Sequence, residues 1–150
     1  MRKTLAAAAT LGLATLGVIV PTSSAQASTA CDNAWNSAKS GYFYAYAYDH
    51  CYYTLGSDAG DDEDWNNGND SFTAGSGDQA ASVLHKGTSG MSVKLYENAH
   101  YGGGHICIKK SEYYMDTLNG WTFNNGHRAL LNISSHQWVW DGACAKFLDS

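Results

Sequence analysis

The sequence predicts an all-β domain, a sandwich or a barrel, and three observations predict it. Side chains alternate along short runs of β-favouring residues. Tyr42, Tyr44, Tyr46 and Tyr48 interleave with Phe43, Ala45, Ala47 and Asp49, the period-two pattern of a strand. Turn chemistry punctuates the chain at short intervals: Gly56-Ser57, Asn66-Asn67-Gly68-Asn69, Gly75-Ser76-Gly77, Gly102-Gly103-Gly104 and Asn124-Asn125-Gly126. Short strands cut by such clusters are the signature of sandwiches and barrels. Finally, one unit is used twice, over about 41–87 and about 91–141. Each unit opens on a Tyr-containing strand, crosses an Asp- or Asn-rich loop that carries a Trp, and ends in a small-residue turn that runs into a strand. Those turns are Gly77 to Val83 and Leu130 to His136.

The elements follow in order. Met1-Arg2-Lys3, the apolar run Leu5 to Val20 and Ala25-Gln26-Ala27 form the three parts of a secretory signal, so residues 1–27 are expected to be a cleaved signal peptide. The run is shorter than the roughly 20 apolar residues of a membrane span. Residues 28–40 form an N-terminal extension, in which Ala34, Trp35 and Ala38 predict a short helix near Cys31 to Lys39. The domain proper occupies 41–150. Beyond the first Tyr run, strands are predicted at Met91 to Tyr96, at Ile106 to Ile108 and at Val139 to Trp140, and Lys86 to Gly90 connects the two units.

Cleavage changes the arithmetic. Removing 1–27 takes Arg2, Lys3 and the only proline, Pro21, but no acid. The remaining 123 residues then hold seven basic and 14 acidic side chains, a formal charge of −7. Such acidity argues against nucleic acid and anionic membrane as partners, since both need a basic footprint. All four cysteines lie beyond the signal, in a chain expected to be secreted and extracellular, where disulfides persist. Four cysteines allow three pairings. The pairing favoured is Cys31–Cys51 with Cys107–Cys144, which staples each half, and the sequence leaves the other two open.

Enzymatic chemistry finds little foothold. Neither H-E-x-x-H nor G-x-S-x-G occurs among the 150 residues, and no C-x-x-C pair offers zinc-ligand spacing. His100 and His105 flank a Gly-rich hairpin and read as surface residues. The Trp residues 35, 65, 121, 138 and 140 read as core or rim packing. The acids at 58, 61–64 and 70 fail the calcium-loop pattern, because Asn67 and Thr73 stand where Gly and Glu belong. The chain is therefore expected not to be an enzyme.

Tyr96-Glu97-Asn98-Ala99-His100-Tyr101-Gly102-Gly103 carries two aromatics and a glycine at the spacing of a folded hairpin. The rings can stack across the bend while Gly103 supplies a positive φ. This segment resembles the first hairpin of a βγ-crystallin Greek key, and Asn132-Ile133-Ser134-Ser135 resembles the end of that family's calcium motif. Over about 41–141 the chain looks most like small secreted actinobacterial βγ-crystallin-like proteins, among them the Streptomyces-type metalloproteinase inhibitor group. Asp61 to Trp65 and Ile133 to Val139 resemble segments of that group. In the first unit Tyr48 and Tyr53 share the aromatic spacing, but Leu55 stands at the glycine position.

The resemblance implies a disulfide-stapled double Greek-key sandwich, with keys at about 41–87 and about 91–141. It also implies at most one calcium site. Asp78 comes from the first motif and the Asn132 carbonyl and Ser134 hydroxyl from the second; Glu97 joins from the hairpin. The paired site is expected to be lost, because Ala81 and Leu131 replace its oxygen ligands. No cofactor is required. The function implied is proteinase inhibition through protein–protein binding by a monomer, with an extracellular protease as partner and loops 57–70 and 119–127 as exposed candidates for contact. The alternatives are an extracellular calcium-binding structural module and a secreted toxin-like antimicrobial protein.

Overall fold

Alternation along the chain decides which side of each strand is buried, and the computed structural model, which describes residues 28–68 and 71–149, shows two sheets built on it. The expected signal peptide, together with Asn69 and Asp70, lies outside the described residues. The helix α1 spans Thr29–Ser37. Eight strands follow: β1 (Phe43–Tyr48), β2 (Tyr52–Asp58), β3 (Ser82–His85), β4 (Ser92–Asn98), β5 (Gly102–Ile108), β6 (Tyr114–Met115), β7 (Ser135–Val139) and β8 (Phe147–Leu148).

Strand order is β2-β1-β3-β6 in one sheet and β7-β4-β5-β8 in the other. The odd positions of β1, Phe43 and Ala45, face inward. Val93 and Leu95 of β4 and Ile106 and Ile108 of β5 meet them, with Trp65, Phe72, Leu118 and Phe123 from the loops. The period-two rule of a pleated strand thus yields one inter-sheet core.

The two halves interlock. Strand β6 belongs by sequence to the second unit but pairs with β3 of the first, Val83 opposite Met115. In return Asp62 of the first unit bridges His136 on β7. The second half thus lends a strand to the first half's sheet, while the first half reaches the second sheet through the single bridge at Asp62.

Two disulfides, Cys31–Cys51 and Cys107–Cys144, close separations of 20 and 37 residues. On chain-entropy grounds each stabilises by about 3–4 kcal/mol. The first holds α1 on the outer face of β1, where Cys31, Tyr46, Cys51 and Leu84 form a second buried cluster with Ala34, Trp35 and Tyr44 against it. The second ties the C-terminal segment so that β8 runs parallel to β5. The helix predicted near Cys31 to Lys39 thus starts two residues earlier and is packed on the domain. The strand expected at Val139 to Trp140 starts at Ser135 instead.

Candidate functional site

Each half contributes one tight hairpin, and the same backbone path recurs in both. In the second, His100, Tyr101 and Gly103 have φ of 55°, 59° and 75°. The first places His50, Cys51 and Tyr53 at 60°, 57° and 59°. Three turn residues separate the strands in each case, with Tyr48 opposite Tyr52 and Asn98 opposite Gly102. This corrects the alignment expected from sequence. Tyr46, not Tyr48, is equivalent to Tyr96; Cys51 is equivalent to Tyr101; Tyr53, not Leu55, occupies the glycine position. The ring pair of the second hairpin, Tyr96 with Tyr101 at 5.5 Å between centroids, is replaced in the first by Cys51 and its disulfide packed beside Tyr46.

A serine clamps each bend. The Ser82 hydroxyl donates to the Tyr48 carbonyl at 2.7 Å and accepts from the Cys51 N–H at 3.0 Å. The Ser135 hydroxyl donates to the Asn98 carbonyl at 2.7 Å and accepts from the Tyr101 N–H at 3.2 Å. Sequence reading placed Ser135 in a ligand motif; its hydroxyl holds the hairpin. The repeated Ala81-Ser82 and Ser134-Ser135 pairs were the available signal for this role.

The four residues named for calcium are arranged as follows. The Ser134 hydroxyl donates to Asp78 Oδ1 at 2.9 Å, so these two oxygens share one place. Asn132 lies beside them in the chain, with its side-chain amide donating to the Leu130 carbonyl at 2.9 Å. Glu97 turns its carboxylate elsewhere. It accepts from the Gly104 N–H at 2.9 Å, from Asn125 Nδ2 at 2.8 Å and from His127 Nδ1 at 2.7 Å. The Gly104 N–H first, then His127 and Asn125, hold this carboxyl below its usual range. Glu97 therefore has its main chain, and not its carboxylate, to offer a cation beside Ser134. At the related place in the other half, Ala47, Ala81 and Leu131 line the surface, so side-chain oxygens are missing where the polar half has Glu97, Ser134 and Asp78.

The two loops expected to be exposed are pinned. In the first, Asp62 and Trp65 are buried in the core, and Asp61 Oδ1 accepts from the Trp138 N–H at 2.8 Å. Residues 59–61, 63 and 66–68 of that loop stay exposed, while Trp65 and the Asp62 bridge anchor it to the sheets. In the second, Phe123 is buried and Asn125 and His127 bind Glu97, leaving 124–128 at the surface.

Exposed aromatics lie elsewhere: Trp140, expected in the core or its rim, and Tyr113 stand singly in solvent, and three more cluster on the first hairpin. Tyr48, Tyr52 and Tyr53 are 62%, 71% and 69% exposed on the first hairpin, with the rings of Tyr48 and Tyr53 edge to face at 6.3 Å. Strand β2 is also the edge of its sheet. Sequence reading assigned these tyrosines to strands and hairpin, and missed that α1 covers Tyr44 and Tyr46 while leaving these three uncovered.

His136 is fully buried between the sheets, and both its ring nitrogens are satisfied. Trp65 Nε1–H donates to Nδ1 at 2.9 Å, and Nε2 meets the Gly60 carbonyl at 3.0 Å. A carbonyl only accepts, so Nε2 carries the proton and the ring is neutral. Burial pushes its pKa down to about 4.

Among known proteins, no family model and no curated protein matches the chain. A solved structure described under "Evolution of the eye lens beta-gamma-crystallin domain fold" is similar, with a TM-score of 0.51 and 16% sequence identity. The match covers 67% of this chain and 86% of that one. At this identity the likeness shows the fold: a disulfide-stapled, all-β βγ-crystallin sandwich.

Proposed function

We propose that this chain is a secreted, non-catalytic binding protein that grips an extracellular protein, and that the partner is a protease held as an inhibited complex. The observation that carries the binding role is the first hairpin. Three tyrosines stand in solvent on a bend fixed by the Cys31–Cys51 bond and the Ser82 clamp. Tyrosine anchors on a rigid frame give contact area with little conformational entropy to lose. The protease class comes from the resemblance of this sequence to secreted inhibitors. Extracellular placement is supported by the two disulfides, which need an oxidising compartment to form and persist. The test is an inhibition panel of thermolysin-like zinc proteases and of subtilisin-like and trypsin-like serine proteases. Inhibition of at least one at micromolar protein is expected; a panel with no inhibition overturns the protease assignment.

A second reading, a calcium-binding structural module, is favoured by the Ser134–Asp78 contact. Two side-chain oxygens within 2.9 Å of each other suit an oxygen-seeking cation, and calcium bound there would raise stability by mass action. The melting temperature in millimolar calcium is then expected to exceed that in chelator, and Ser134→Ala is expected to abolish the difference. Equal melting temperatures for the unsubstituted protein would end this reading.

A further inference from the structure

We infer that the cleft beside the first hairpin is a pocket for one lysine or arginine side chain of a protein partner. This rests on the reading of the chain as a protein-binding module and names the chemistry of one contact. The cleft is an open groove of about 420 Å³. It opens between the β1–β2 bend and the turns that lead into β3 and β7. Ala47, Ala81, Leu130 and Leu131 supply apolar wall, Asp49 and Asp78 supply carboxylates, and Gln79 adds an amide. Tyr48 lines it as well and carries the surface on to Tyr53.

The internal repeat shows how this place differs from its twin. Equivalent positions are fixed by matched hydrogen bonds: Asp78 N–H to the Ile133 carbonyl in one half, Leu131 N–H to the Ala80 carbonyl in the other, both 2.9 Å. By that register Ala47, Ala81 and Leu131 replace Glu97, Ser134 and Asp78. At the rim the change runs the other way, and Asp49 stands where the polar half has Ala99. Carbon has replaced oxygen on the wall while a carboxylate has been added at the mouth.

That combination selects its guest. A hard divalent cation needs six to eight oxygens, and among its lining side chains the cleft has oxygens only on Asp49, Asp78, Gln79 and the exposed Tyr48. A purely apolar side chain fits the wall but brings nothing to the carboxylates. A lysine or arginine matches both, with its methylene stem along Ala and Leu and its cationic head at Asp49 and Asp78. The exposed Tyr48 ring adds a face for the same cation. Asp78 can serve two donors, because a carboxylate has about four lone-pair sites and Ser134 uses one. The net acidity of the domain draws such a partner in.

The test is an amide NMR titration of the full domain with acetyl-Gly-Lys-Gly-amide and with the norleucine peptide of the same shape. The lysine peptide is expected to shift the amides of 47–49, 78–81 and 130–131, with affinity at least tenfold above norleucine. Asp49→Asn is expected to reduce that advantage several-fold, with the spectrum elsewhere unchanged. Equal response to both peptides, shifts confined to another surface, no shift at all, or displacement of the lysine peptide by calcium chloride at equal ionic strength would each overturn the assignment. The peptide test uses no protease, so a failed inhibition panel and a failed titration are separate results.

Discussion

His136 shows how one buried side chain sets the pH range of the fold. Its folded pKa lies near 4 because burial disfavours the cation, while an unfolded histidine titrates near 6.5. Between these values the unfolded chain binds the extra proton, so stability rises with pH across that window. The contribution is complete above about pH 6.5 and is lost as pH falls towards 4, a change on the order of 3 kcal/mol. His85, also lowered by burial, adds in the same direction. Urea unfolding at pH 7 and pH 4.5 is expected to show the loss, and His136→Gln is expected to flatten it. No pattern in the sequence points to this role. The repeat puts a valine, Val83, where the second half has His136, and only the packing around Trp65 and Gly60 shows the imidazole to be neutral and paired.

The strands and hairpins differ in how far the sequence exposes them. Alternation made β1 and β4 legible, since a buried face leaves a period-two trace. Strands β6 and β8 are two residues long, too short for any period, and they exist because another segment pairs with them. The hairpin equivalence is hidden in the sequence for a chemical reason: Cys51 does with a disulfide what Tyr101 does with a ring, so aromatic spacing points at Tyr48 and Tyr53. The serine clamps allow a test at this scale. Ser135→Ala removes a buried hydroxyl that donates and accepts, and is expected to cost about 1–3 kcal/mol in chemical denaturation. Ser134→Ala, whose hydroxyl bonds a side chain near the surface, is expected to cost less than Ser135→Ala. Replacing Cys31 and Cys51 together by Ser is expected to cost about 3 kcal/mol and to release α1, read as early proteolytic cleavage before residue 41.

At the scale of the whole molecule, the strand exchange between halves governs folding. Strand β6 of the second half completes the first sheet, and the Asp62–His136 bridge ties the first half to β7, so the domain is expected to unfold in one cooperative step, with calorimetric and van't Hoff enthalpies in agreement. The repeat and the sandwich were readable from composition and turn spacing. The exchange was not, because it depends on pairing between segments far apart in sequence. The candidate surfaces divide in the same way: Asp78 and Ser134 were identified by motif and do meet, whereas the tyrosine surface depends on which residues α1 leaves uncovered.

The central claim is that the exposed tyrosines of the first hairpin are kept for binding and not for stability, and Tyr53 tests it most directly. Its φ of 59° is one that glycine adopts freely and tyrosine does not. Tyr53→Gly therefore removes an exposed ring and relieves backbone strain together, with an expected net gain of about 0.5–1 kcal/mol. The measurement is the inhibition constant of Tyr53→Gly against a protease that the unsubstituted protein inhibits, taken with its melting temperature. We expect inhibition at least tenfold weaker in a variant that melts no lower. Unchanged inhibition by the variant would contradict the account.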